Sequence, residues 1–180
     1  MVQQHDSKLI ATDRLWPAGT RPSTDAIWRL LEEVPDPEVP VVNVVELGIV
    51  RDLNWRDDTL EVTITPTYSG CPATHFIEEE ISAALNRAGL TNHRLVQRLA
   101  PAWTTDWITE AAREKLRAFG IAPPEGAASK RTLLGEDPEV TCPHCGSKHT
   151  EQVSEFGSTA CKALYRCTEC LEPFDYFKCI

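Results

Sequence analysis

Thr59-Leu60-Glu61-Val62-Thr63-Ile64-Thr65-Pro66-Thr67-Tyr68-Ser69-Gly70-Cys71-Pro72 is the stretch on which the fold turns. Its first six residues alternate polar and apolar side chains, the period of a half-buried strand. Pro66, Ser69 and Gly70 then supply turn chemistry. From Pro72 onward the period changes: Phe76, Ile77, Ile81, Ala84, Leu85 and Ala88 recur at helical spacing. Pro72 suits a first helical position, where its missing N–H would have had no intrahelical partner. This strand-turn-helix reading puts Cys71 near a helix N-cap. Unpaired N–H groups and the positive end of the helix dipole favour a thiolate there and lower the pKa of the thiol. A buried structural cysteine in a tight turn is the alternative reading.

Upstream, Asp57-Asp58 reads as a hairpin turn that joins this strand to an earlier one, Ile49-Val50-Arg51-Asp52-Leu53-Asn54-Trp55. Asn43 to Gly48 is a short turn leading into it. Before that, Ser23 or Thr24 caps a first helix in which Ile27, Leu30, Leu31 and Val34 fall at i, i+3, i+4 and i+7. Pro35-Asp36-Pro37-Glu38-Val39-Pro40 cannot continue that helix, because its prolines remove donors and hold their predecessors extended. The stiff loop that results carries two carboxylates, Asp36 and Glu38, open to two readings: solvated charges, or acceptors that assist a metal site. Downstream, Gly89 stops the central helix and His93 to Leu99 reads as a third strand ending at Pro101. Thr104, Thr105 and Asp106 offer caps for a last helix through Trp107, Ala111, Leu116 and Phe119, closed by Gly120. The order α-β-β-α-β-α describes an α+β domain over residues 23–122. Residues 1–22 read as a mobile tail and the Pro-, Gly- and Ser-rich run 123–139 as a linker.

The remaining segment, 140–180, is organised by cysteine. Cys142-Pro143-His144-Cys145 and Cys167-Thr168-Glu169-Cys170 are two Cys-x-x-Cys knuckles with 21 residues between them, the spacing of a zinc ribbon. Each knuckle offers two thiolates and the intervening stretch has the length of a hairpin, so a tetrahedral, structural Cys₄ zinc site follows. An iron–sulfur cluster or a single iron is the rival occupant of four thiolates. His144 and His149 are surplus to a complete cysteine set, and spacing assigns no role to Cys161 or Cys179.

Seven cysteines, no secretory signal and no apolar run long enough for a membrane span point to a cytoplasmic chain that uses thiols for metal or redox chemistry rather than for disulfides. The net charge of −9, and four basic against five acidic residues from Val140 to Ile180, exclude the basic stripe that nucleic acid requires. A protein partner fits this balance. His75 lies one helical turn from Cys71, but surface exposure explains it as well as assistance to a thiolate does. No Gly-rich phosphate loop, Ser-His-Asp pattern or nicotinamide fingerprint is present, and the sequence identifies no catalytic constellation.

Asp36-Pro37-Glu38-Val39-Pro40, Glu46-Leu47-Gly48-Ile49-Val50 and Thr65 to Pro72 together resemble the SufT-like family of iron–sulfur assembly proteins over residues 24–122. The run Phe156 to Cys167 and the ending Glu172 to Cys179 are similar to the ribbon-bearing accessory-subunit family of the phenylacetyl-CoA epoxidase. This resemblance implies a non-catalytic role in aerobic phenylacetate breakdown, with the components of the epoxidase as partners, above all its iron–sulfur flavin reductase. It implies that Cys71, with Asp36 and Glu38, handles iron or a transient iron–sulfur cluster. A single thiol needs further ligands for that task, and homodimerisation is one way to supply them.

Overall fold

The computed structural model describes residues 15–17, 19–125 and 138–178. The first helix, α1 (Thr24–Leu31), starts at Ser23, whose side chain accepts the N–H of Ala26, and buries Ile27, Leu30 and Leu31. It ends before Val34, although that residue is still buried. Pro35 bridges to Asn43, closing the proline-rich loop into a compact turn in which the Asp36 N–H donates to the Val42 carbonyl at 2.9 Å. Strands β1 (Val50–Arg56) and β2 (Thr59–Ile64) form the expected hairpin, with Asp57 at φ 51° in its turn. The central helix, α2 (Ala73–Ala88), closes at Gly89 in the left-handed conformation, and β3 (His93–Gln97) pairs parallel to β2. The resulting three-stranded sheet has the order β1-β2-β3.

One expectation needs correction at the last helix of this domain. Trp107 belongs to a separate 3₁₀ turn, Thr105–Trp107, capped by Thr104, and the α-helix α3 (Glu110–Phe119) begins three residues later. The reason is a second cap. Ile108 is extended at φ −68° and ψ 125°, and the Thr109 side chain accepts the Ala112 N–H. The helical spacing of Trp107 with Ala111 therefore spans two elements. α3 buries Ala112 and Leu116 and leaves Phe119 exposed.

Immediately after Gly120, Ile121–Ala122 forms the short strand β4. It pairs in parallel with β7 (Pro173–Phe177), which pairs with β6 (Lys162–Cys167), which pairs with β5 (Thr150–Ser154). This four-stranded sheet, order β4-β7-β6-β5, is the ribbon. It does not hang from a tether. Cys161 and Phe177 belong to the same buried cluster as Ile27, Leu47, Ile64, Ile77 and Trp103, and the Trp103 and Phe177 rings meet edge to face at 6.1 Å. Trp103 is fixed in turn by its indole N–H, which donates to the Leu47 carbonyl at 2.9 Å. A second, smaller cluster of Tyr165, Phe174, Tyr176, Val140 and Cys142 fills the ribbon itself. The tail expected at 1–22 lies largely outside the described residues, as do positions 126–137 of the expected linker. Trp16 is an exception: its backbone N–H donates to the Ala88 carbonyl and its ring packs on the core. Among the described residues no helix is long and apolar enough to cross a membrane.

Candidate functional site

Among the described residues the thiols fall in two places, and these differ in how they are built. In the ribbon, Cys142, Cys145, Cys167 and Cys170 have their sulfur atoms all within 4.8 Å of one another. Cys142 to Cys170 is 3.7 Å and Cys145 to Cys167 is 3.5 Å. Four thiolates around one ion at about 2.3 Å stand about 3.8 Å apart, so these sulfurs already have coordination spacing. The backbone explains it. Each knuckle is a tight turn: the Gly146 N–H donates to the Cys142 carbonyl with Gly146 at φ 76°, and the Cys170 N–H points at the Cys167 sulfur. The N–H groups of Cys170 and Glu169 favour the Cys167 thiolate, whereas burial and the neighbouring sulfurs raise the Cys145 and Cys170 thiols, so the four share their protons unevenly. This is a metal-binding group. His149 is not part of it and pairs with Glu169 at 2.9 Å.

The second group lies in a mostly apolar cleft where the ribbon meets the front domain, walled by Ile49, Ile64, Pro66, Ala73, Ile77 and Phe177, with Asp36, Glu38, Cys71 and Cys161 also on its lining. Three segments build it. The turn after β2 is short and self-bonded, with the Cys71 N–H donating to the Tyr68 carbonyl at 3.2 Å and the Thr74 N–H to the Cys71 carbonyl at 3.2 Å. Cys71 thus sits just before α2, and no side chain caps that helix. It is half-buried.

The proline-rich turn supplies the carboxylates. Asp36 is buried, and its Oδ1 accepts the N–H groups of Glu38 at 2.9 Å and Val39 at 2.8 Å. Burial pushes the Asp36 carboxyl above the ordinary carboxylate range, and those two N–H groups only partly offset it. Asp36 therefore shapes the loop, and Glu38 is the carboxylate that reaches a thiol.

That thiol is Cys161, brought in from the ribbon. Its Sγ lies 3.5 Å from Glu38 Oε2 and 3.0 Å from Thr159 Oγ1. Burial pushes the Cys161 thiol up to about 11, and the neighbouring Glu38 charge adds to that. Tyr68 flanks the group. Partial burial raises its phenol above the usual value, and the neighbouring Glu38 charge adds to that. The cleft is narrow, with about 10 Å³ open to the centre of a water-sized sphere, room for about one water.

Of the residues singled out from sequence, Cys71, Asp36 and Glu38 thus line one cleft. His75 does not join them; it is 77% exposed and pairs with Glu79 at 3.2 Å. Cys179 lies outside the described residues.

Comparison with known proteins fits both halves. Residues 24–92 match the model of the iron–sulfur cluster assembly protein family, and residues 126–178 match the PaaD zinc beta ribbon domain. An Escherichia coli protein provisionally named as a subunit of the 1,2-phenylacetyl-CoA epoxidase is 52% identical over 159 residues, covering 88% of this chain and 94% of that protein. This chain belongs to the PaaD family. Its front domain also aligns with shorter proteins. An Fe-S protein maturation auxiliary factor of Porphyromonas gingivalis is 34% identical over 50% of this chain and 87% of that protein. One of the same description from Bacillus subtilis is 35% identical over 46% and 82%. The PaaD-family chain therefore combines an iron–sulfur-assembly-like domain with a metal-binding ribbon.

Sequence reasoning missed Cys161 and Tyr68. Tyr68 stood in plain view between Thr67 and Ser69, but an aromatic in a turn carries no spacing signal. Cys161 could be placed only through the pairing of β6 with β7 and of β7 with β4, which sets the ribbon against the front domain.

Proposed function

We propose that the chain is a cytoplasmic accessory maturation factor of the phenylacetyl-CoA epoxidase system, assisting iron–sulfur cluster assembly or delivery to the iron–sulfur flavin reductase of that system. In this reading Cys71, with Asp36 and Glu38, handles the iron or the cluster, and a structural zinc ion occupies Cys142, Cys145, Cys167 and Cys170. The chain itself performs no oxidation. What supports the assignment above all is the meeting of Cys71 with Asp36 and Glu38 in one cleft of the domain that matches the iron–sulfur assembly family.

The chemistry asked of the cleft is modest. A half-buried sulfur at the end of a self-bonded turn, beside a helix start with no side-chain cap, can bind a thiophilic metal and release it again. Space limits what enters. Room for about one water cannot enclose a cluster, so a cluster would be handled at the mouth with ligands from a client, or one iron at a time. For the ribbon, four thiolates at tetrahedral spacing leave no open position, which suits zinc in a structural role.

The deciding experiment co-expresses the reductase with wild type or with Cys71→Ser and measures its iron and acid-labile sulfide. The expected result is a folded, zinc-bearing Cys71→Ser chain and a reductase lacking cluster. Full cluster content in that variant would instead make the chain a structural adaptor of the oxygenase. Metal analysis of the purified chain should return one zinc, lost in Cys142→Ser.

A further inference from the structure

We propose that the ribbon is a hinged cover for the front domain. Docked, it closes the face that carries Asp36, Glu38 and Cys71; swung away as a folded, metal-bearing unit, it opens that face to an incoming protein. The inference rests on the function proposed above and adds how access to the cleft is controlled.

The cleft owes its narrowness to the ribbon. Ile49, Ile64, Pro66, Ala73 and Ile77 wall it from the front domain, and Cys161 and Phe177 of the ribbon close it. With those two side chains withdrawn, the apolar wall and its two carboxylates would face solvent, a patch of the kind that marks a protein-binding surface. The front domain does not need this cover to exist. The shorter relatives, which align with it over most of their own length, have no room for a ribbon.

The seam is suited to parting. Its seating contacts are single side chains: the Phe177 ring meets Trp103 edge to face, Cys161 Sγ lies 3.5 Å from Glu38 Oε2, and Ile121 enters the front core beside them. It also holds polar groups away from water. Asp36 and Cys161 are buried there, and so is Lys162, whose charge acts on both. Lys162 Nζ reaches its carboxylate partner, Asp175 on the same small sheet, only at 3.6 Å. Charge buried in so loose a pair is poorly compensated, so opening recovers hydration that offsets part of the lost apolar contact. Each half keeps its own framework when they separate. The two sheets share no strand among the described residues, and the ribbon has its own apolar cluster and its four-thiol group. The join is Gly120, between α3 and β4, at φ 92°. A Cβ there would stand 3.3 Å from the His144 ring of the first knuckle, so the close approach and the left-handed backbone both ask for glycine at the pivot.

The test follows Cys161, sealed in the closed form, by its reaction with iodoacetamide in the zinc-loaded full chain, with mass mapping at urea concentrations below the unfolding transition. Swinging the ribbon away exposes less surface than unfolding, so the logarithm of the labelling rate should rise with urea at about half the global slope or less, with zinc retained. Adding the reductase without its cluster should raise the rate about tenfold, because the client holds the open form. Phe177→Leu, which keeps an apolar side chain and loses the ring contact with Trp103, should raise the rate of the free chain by a similar factor. Phe156→Leu, on the exposed part of the ribbon, should leave it unchanged. If Phe177→Leu does not fold, the wild-type slope and the reductase arm decide. Labelling with the full slope of global unfolding, labelling only after zinc is lost, no urea dependence at all, or a rate that the reductase leaves unchanged or lowers would each overturn the proposal. Its failure is separable from that of the function. A reductase emptied by Cys71→Ser, beside Cys161 labelling that tracks global unfolding, leaves the function standing without a moving ribbon. A fully loaded reductase, beside labelling at the shallow slope, leaves a hinged ribbon with no part in cluster handling.

Discussion

The two thiol groups of this chain are opposites in construction. The ribbon group takes all four sulfurs from two knuckles on one small sheet, each knuckle held by hydrogen bonds within a few residues. The cleft takes its groups from three segments, at 36–38, at 71 and at 161, which meet only when the ribbon sheet has docked on the front domain. A locally encoded site is complete once metal arrives. A dispersed one inherits the stability of everything that brings its parts together, and that difference sets the size of the effects below.

Removal of the ribbon metal should have the largest effect. So small a module has little core of its own, and structural metal contributes on the order of 10 kcal/mol to such folding. Chelation should therefore unfold the ribbon, and because Phe177 and Cys161 are part of the front core it should also loosen the cleft. The readout is Trp103, whose ring contacts Phe177: its fluorescence and near-ultraviolet dichroism should change together with loss of metal. A front domain that keeps those signals after chelation would mean that the two halves are independent.

Next in size is the contact that joins them. Phe177 is 2% exposed and Phe156, twenty-one residues earlier, is 56% exposed. Phe177→Ala should cost about 3–5 kcal/mol in denaturant unfolding, while Phe156→Ala should stay within about 0.5 kcal/mol. Equal costs would remove the docked interface from the account. The same variant should also raise the alkylation rate of Cys161. In the wild type, a thiol pushed up to about 11 from the ordinary 9.0 holds about a hundredfold less thiolate at pH 8 than a free cysteine. Mass mapping with iodoacetamide should find Cys71 modified well before Cys161, and opening the interface should narrow the gap.

The same contrast explains what could be read in advance. The hairpin, the central helix with its Gly89 stop, and the metal knuckles are written in periods and spacings shorter than a turn or two of chain, and they stand where the pattern puts them. Cys71, Asp36 and Glu38 could be singled out individually. Nothing local says that Glu38 reaches Cys161, since that contact bridges 123 residues and depends on sheet pairing through a two-residue strand, Ile121–Ala122. The misplaced start of α3 has a humbler cause: two threonine caps, at 104 and 109, compete for one helical pattern.

The smallest expected effects lie at Asp36 and separate its two duties. Oδ1 accepts two backbone N–H groups, one of them the buried N–H of Val39. Asp36→Ala orphans that donor and should cost about 1–3 kcal/mol. Asp36→Asn keeps an oxygen acceptor in place and removes only the charge. Because burial raises the folded-state pKa above 3.8, the folded chain binds this proton more tightly than the unfolded chain does. The stability contributed by the protonated carboxyl is fully present below the unfolded value and is lost as pH rises through the folded value. The Asn variant should therefore equal or exceed wild type at neutral pH, and that advantage should vanish as pH falls toward 3.8. Urea unfolding of both chains across this range checks the sign. If wild type were instead the more stable at neutral pH, with its margin shrinking in acid, Asp36 would be held ionised by its two N–H donors. The loop would then be an anionic wall of the cleft in the folded state, and the dispersed site would bind cations more strongly than burial allows.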